Sequence, residues 1–272
     1  MMKRTLLILT FIILALAGMF TAGRLLAAQP VDAAQTMQAA NQLYETGQYP
    51  EASRLYQQLA DQGVSSSALF YNLGNTYFKQ GDLGYAILNY DRAAQLAPRD
   101  ADIQANLDLA RAQAVDRFEE TGNDGALTRL AGATRAWLTL NEMAVLALGL
   151  WFLFVLLLIA YRQMGRQMGN GRLREFVQYA MILSALLLIV AGFSLTDRLY
   201  VESVQPTAVI VADQVDVASG PGSQYVTEFS LHSGAEVSLI ETRSDWARLA
   251  LPGGELQGWV PADTVIPVNG NR

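Results

Sequence analysis

The chain has no cysteine and a single histidine, His232, in 272 residues. Disulfides, thiol nucleophiles, cysteine-based zinc sites and histidine-cluster metal sites are thereby excluded together. Positive charge is scarce on the two stretches that read as soluble. Residues 29–142 carry eight Lys/Arg against fourteen Asp/Glu, and residues 203–272 carry three against eight. A nucleic-acid surface needs a basic face to replace counterions along phosphates, and none is available. Two long internal runs lack charge altogether, and with no intramembrane ionisable group neither suits a channel or transporter. Carboxylate pairs such as Glu119 and Glu120 fall in a polar stretch without a nucleophile or base beside them. No enzyme, cofactor or metal is expected.

The uncharged runs are Met143 to Tyr161 and Phe176 to Thr196. At about 1.5 Å rise per residue, each is long enough to cross a hydrocarbon core of roughly 30 Å. The expected bounds are 143–161 and 176–196 for two transmembrane helices, with a loop at 162–175 between them. That loop holds Arg162, Arg166, Arg172 and Arg174 against Glu175 alone, which predicts a cytoplasmic position. Lys3 and Arg4 precede an apolar run from Thr5 to Gly23, so residues 1–28 read as a signal peptide or signal anchor. Both charge signals give one expected topology: a multi-pass bacterial plasma-membrane protein with its two soluble parts extracytoplasmic.

Residues 33–66 and 67–100 align at a period of 34. Ala40 falls opposite Gly74, Leu43 opposite Tyr77, Gly47 opposite Gly81, Ala52 opposite Ala86 and Tyr56 opposite Tyr90. Small residues let paired helices approach, tyrosines fill the space beside them, and Pro98 stops the last helix. The second copy, FYNLGNTYFKQGDLGYAILNYDRAAQLAP, resembles the tetratricopeptide repeat at nearly every signature position. Residues 101–118 suit a capping helix, giving an all-α repeat domain at 33–118 and a linker with one short helix at 119–142. The candidate groove residues are Asn41, Tyr44, Tyr71, Asn72, Asn75, Phe78 and Lys79, which suit amide and apolar contacts. Asn41 and Asn72 resemble the asparagine pair with which some such domains grip a carboxylate terminus. The cations of that clamp are missing, because Met37, Asp102 and Asn106 stand in their places.

From Thr207 the pattern becomes short β-rich runs separated by turns such as Gly220-Pro221-Gly222 and Pro252-Gly253-Gly254. Five or six strands within about sixty residues predict a small barrel at 203–268. The succession SGPG, Tyr225, Gly234, Val237, Trp246 and Gly258-Trp259-Val260 resembles the bacterial SH3-type domain, except that Ala218 stands where that family often has arginine. Tyr225, Trp246 and Trp259 either line a peptide or peptidoglycan groove or complete the core. His232 reads as a solvent-exposed polar residue.

The order of parts, signal, repeat, two-span hairpin with a basic loop, then SH3-type domain, resembles the BatE-type proteins of the Bacteroides aerotolerance system. The resemblance implies a non-enzymatic membrane scaffold beside von Willebrand factor A-domain membrane proteins and a MoxR-type ATPase. The alternative is a peptidoglycan-binding receptor that recruits an envelope enzyme through its repeats.

Overall fold

Helix ends in this chain are written in small and polar residues. The computed structural model describes residues 31–118, 126–167, 171–254 and 256–270. The expected leader at 1–28, the start of the linker at 119–125 and the tip of the basic loop at 168–170 lie outside them. The chain divides after Val64 into two compact units.

The first unit holds a helical hairpin, α1 (Val31–Glu45) and α2 (Tyr49–Asp61), with Pro50 in the first turn of α2. Proline is tolerated there because that amide has no intrahelical acceptor. Ala40, Ala52, Tyr56 and Leu59 are buried.

The second unit opens with a matching hairpin, α3 (Ser67–Gln80) and α4 (Leu83–Leu96), followed by α5 (Ala101–Gln113). Ser66, Asp82 and Asp100 each cap a helix, accepting from the amides of Leu69, Tyr85 and Ile103 at 3.2–3.3 Å. Gly81 ends α3 at φ +81°, a left-handed turn that side chains with a Cβ disfavour. Gly74 lies under the Tyr90 ring, where a Cβ would come within 2.7 Å of Cδ1. That contact is why the period requires a small residue at this position.

Part of the expected linker is helical: α6 runs over Ala126–Trp137. Next come α7 (Leu140–Gln167) and α8 (Gly171–Val204), both longer than the uncharged runs within them. Thr139 and Glu142 form a reciprocal capping box that starts α7 ahead of Met143. Past Thr196, α8 continues through Asp197 and Arg198. Arg198 is buried and donates to the Leu138 carbonyl at 2.7 Å. Both helices are long and apolar enough to cross a membrane. Val145, Phe176, Leu183 and Ile189 stand more than half exposed along them.

The last part corrects the barrel expectation. Seven strands, β1 (Thr207–Ile210), β2 (Gln214–Ala218), β3 (Thr227–His232), β4 (Glu236–Arg243), β5 (Trp246–Ala250), β6 (Gln257–Pro261) and β7 (Val265–Pro267), form one antiparallel sheet. Its order is β3-β2-β6-β5-β4-β1-β7. It is not closed: β3 and β7 are edges. Closure would require those strands to pair, and each instead meets a side chain from outside the sheet, Arg92 on α4 and Asp116 just past α5. Arg92 of α4 donates to the carbonyls of Pro267, Val268 and Gly270 at 3.1–3.3 Å, beside β7. On β3, the Ser233 amide turns inward to Asp213, so the alternation of an antiparallel ladder points the His232 amide outward. Asp116 accepts it at 2.6 Å.

The strands nearest the helices are buried on both faces. Ala208, Ile210 and Val265 face the sheet's own core with Val217, Leu231, Leu249 and Val260. Their neighbours Val209 and Ile266, with Val268, pack instead among Ala86, Ile87, Leu88, Leu107 and Ala114 of the helical layer.

Candidate functional site

Two surfaces were expected to bind, the inner helices of the repeat and the aromatic face of the sheet. In the first unit, Asn41 Oδ1 accepts from the Tyr56 hydroxyl at 2.7 Å, and Tyr44 packs edge-on against Tyr49 with ring centroids 5.4 Å apart. In the second, Asn75 Oδ1 accepts from the Tyr90 hydroxyl at 2.7 Å. The two pairs have the same spacing, so one period on from Asn41 stands Asn75. Each amide orients the tyrosine that fills its own hairpin.

Asn75 also accepts from Asn106 Nδ2 at 2.8 Å, and Asn106 reaches the Tyr71 hydroxyl at 3.0 Å. Asn106, at a place where a clamp would need a cation, therefore ties α5 to α3. Phe78 packs against the cluster shared by the helices and the sheet. Asn72 is half-buried and presents its carbonyl to Thr76, while Lys79 is exposed. Of the expected groove residues in this unit, Tyr71 and Asn75 form a bonded network, and Lys79 faces solvent.

On the sheet, Trp246 lies opposite Pro261 and Arg248 opposite Trp259, which puts both tryptophans on one face as diagonal neighbours. Trp259 is only 7% exposed, and the Arg243 guanidinium stands 5.3 Å from its ring centroid. Trp246 is half-buried, whereas Tyr225 is exposed. The Tyr225 ring rests on Gly220, where a Cβ would come within 2.6 Å of it. His232 departs from expectation: it is half-buried, with its ring Nδ1 3.2 Å from Asp116 Oδ2.

The residues that sequence reasoning missed join the helices to the sheet. Arg111 of α5 makes paired hydrogen bonds to Glu236 at 2.7 Å each and a third to Asp91 at 3.0 Å. Burial pushes the Asp91 carboxyl well above its usual range; the Glu236 charge adds to this, and Arg111 opposes it. Burial also works against the Arg111 charge. The Glu236 hydrogen bond, with the Asp91, Glu236 and Asp108 charges, outweighs it and raises the Arg111 pKa further. Gly84 packs directly on the sheet: its amide donates to Ser233 Oγ at 2.9 Å, and a Cβ there would lie 2.6 Å from the Ile210 carbonyl oxygen. The signal was present, because a glycine inside α4 that the repeat pattern does not require marks a close approach. Among the described residues, no group of three or more His, Asp or Glu side chains could hold a metal.

This hairpin geometry is that of a known repeat. Residues 67–100 match the tetratricopeptide repeat family. The matched segment spans α3, α4 and the Pro98 turn. No curated protein matches the chain. The tetratricopeptide repeat makes protein–protein interaction the role suggested for the helical region.

Proposed function

We propose that this protein is a membrane-anchored scaffold that holds partner proteins through its tetratricopeptide region. The observation that carries the reading is the fixed attachment of the second repeat. The Arg99 guanidinium donates twice to Glu142 and once to the Trp137 carbonyl, joining the repeat to the start of α7. Arg111 and Gly84 fasten the same repeat to the sheet. A repeat braced on its outer helices leaves α3, with the exposed Lys79, as the surface for a partner. The long apolar helices with outward-facing Val145, Leu183 and Ile189 support insertion of the α7–α8 hairpin in a bilayer. The arginines of the connecting segment favour a cytoplasmic turn, with the repeat and sheet on the extracytoplasmic face.

In this reading the partners are von Willebrand factor A-domain membrane proteins served by a MoxR-type ATPase, in a Bat-type stress-tolerance or envelope-maturation complex, and the chain does no chemistry itself. The peptidoglycan-receptor alternative draws on Tyr225, the exposed member of its aromatic set.

The test uses the full chain. Carbonate extraction is expected to leave it in the membrane fraction, and affinity purification in detergent is expected to recover membrane proteins with it. The variant Lys79→Glu should lose those proteins while melting like the wild type. An unchanged partner set would overturn the assignment to α3. Retention on purified peptidoglycan that disappears with Tyr225→Ala would favour the alternative.

A further inference from the structure

Helix α6 is held by three arginines at one level of the molecule. The last carbonyls of a helix lack intrahelical donors. Here the Trp137 carbonyl accepts from Arg99 of the repeat, and the Leu138 carbonyl just beyond it accepts from Arg198 of α8, each at 2.7 Å. Within α6, Arg135 pairs with Asp197 of α8 at 3.4 Å. Asp197 and Arg198 are the first charges after the uncharged run that ends at Thr196, and Glu142 is the last before the run that starts at Met143. The C-terminal half of α6 therefore sits where both apolar runs give way to polar chain.

The outward face of α6 is the unusual one. At about 100° per residue, Arg129, Leu130, Ala133, Ala136 and Trp137 fall within one arc of roughly 120°, and all five are exposed. Trp137 is 69% exposed. Thr134 and Arg135, half-buried, lie outside that arc on the side of α8. A helix on a water-soluble surface turns its charges out and its apolar residues in. This one turns an ion pair in and Leu130, Ala133 and Trp137 out. It has two arginines and no carboxylate.

We propose that α6 is an interfacial helix, lying at the boundary of the bilayer with Leu130, Ala133 and Trp137 among lipid and Arg129 extended towards the headgroups. The level of the helix selects lipid as the cover, since tryptophan is favoured at that depth and an arginine without neighbouring acids suits a headgroup region. The proposal rests on the membrane insertion argued above and adds a third membrane contact to the two spans. Its consequence is positional. Because Arg99 grips the Trp137 carbonyl, the seated helix holds the second repeat close to the bilayer surface, so the partner is met there.

The chain has no cysteine, so single cysteines introduced into the full protein can each carry a nitroxide. Leu130→Cys and Ala133→Cys probe α6, Lys79→Cys gives a water reference and Ile189→Cys a lipid reference. The labelled proteins are placed in vesicles of phosphatidylcholine and phosphatidylglycerol, and spin relaxation is measured with oxygen and with a water-soluble nickel chelate. At 130 and 133 the ratio of oxygen to nickel access should exceed that at 79 and approach that at 189. Nickel access at 130 and 133 equal to that at 79 would overturn the proposal, and so would shielding from both reagents, which marks a protein cover. If the label at 189 also reads as water-exposed, the membrane reading fails as well, so the two failures are told apart.

Discussion

The two helical hairpins share one interior and differ on one face. Tyr56 and Tyr90, Ala52 and Ala86, and the Asn41 and Asn75 amides repeat at 34 residues. Along the second helix the copies diverge: Pro50, Ser53, Arg54, Gln57 and Gln58 of α2 become Gly84, Ile87, Leu88, Asp91 and Arg92 of α4. Arg54 and Gln58 are exposed, whereas Ile87 and Leu88 are buried against the sheet side of the helical layer. The difference shows that a repeat can keep its signature and still become a docking surface. The positions free to vary, not the signature ones, carry the attachment.

The sharpest way to break this comparison is at Gly84. Gly84→Ala sets a Cβ against the Ile210 carbonyl and the Val211 Cα at 2.9 Å, and backbone cannot swing aside as a flexible side chain can. A loss of roughly 2–3 kcal/mol is expected, with faster proteolytic release of the sheet. The matching change in the first hairpin, Pro50→Ala, should cost less than about 1 kcal/mol. Equal losses, measured by denaturant melting in detergent, would show that the outer face of α4 is not special.

A second pair of variants separates the members of the ionic cluster. Arg111→Met leaves Asp91 and Glu236 facing each other without their cation. A cost of about 2 kcal/mol is expected, less than for a fully buried pair because 39% of the arginine side chain meets water. Asp91→Asn should behave oppositely. Because the folded state holds the Asp91 proton above its ordinary pKa of 3.8, folding takes up a proton in that window. The Asp91 contribution to stability is fully present below 3.8 and falls as pH rises through the raised value. The variant should therefore gain in melting temperature relative to wild type as pH rises above 3.8. A widening loss over that range would contradict the charge assignment.

The smallest expected effect lies in what the hairpins share. Tyr56→Phe and Tyr90→Phe each remove one hydroxyl donor to an asparagine and should each cost about 1 kcal/mol. Tyr90→Phe should be the milder, because Asn75 keeps its bond from Asn106. Differential melting of the two variants measures this directly.

Much of this architecture was legible because its signals are periodic or long. The interval between Tyr56 and Tyr90, and the uncharged stretches of α7 and α8, need only the chain's own pattern. The sheet topology was not legible, because closure depends on what the end strands meet. The run Ala208-Val209-Ile210-Val211 carried a usable hint, since continuous apolar residues mark a strand covered on both faces. Arg111 gave none: an arginine on a capping helix reads as solvated until Glu236, 125 residues on, is brought to it. The same applies to Asn106, whose role in tying α5 to α3 depends on side chains from another helix.

The capped edges of the sheet have a consequence for how the chain is made. Arg92, Ile87 and Leu88 are synthesised well before the strands they cover, and both apolar helices must be made in between. Over the 176 residues from Arg92 to Val268, at ~5–20 residues per second, that wait is roughly 9–35 s. For that interval the outer face of α4 is an uncovered apolar surface on a nascent chain. Its protection, by a chaperone or by early contact with a partner, becomes a requirement of biogenesis set by the order of the segments.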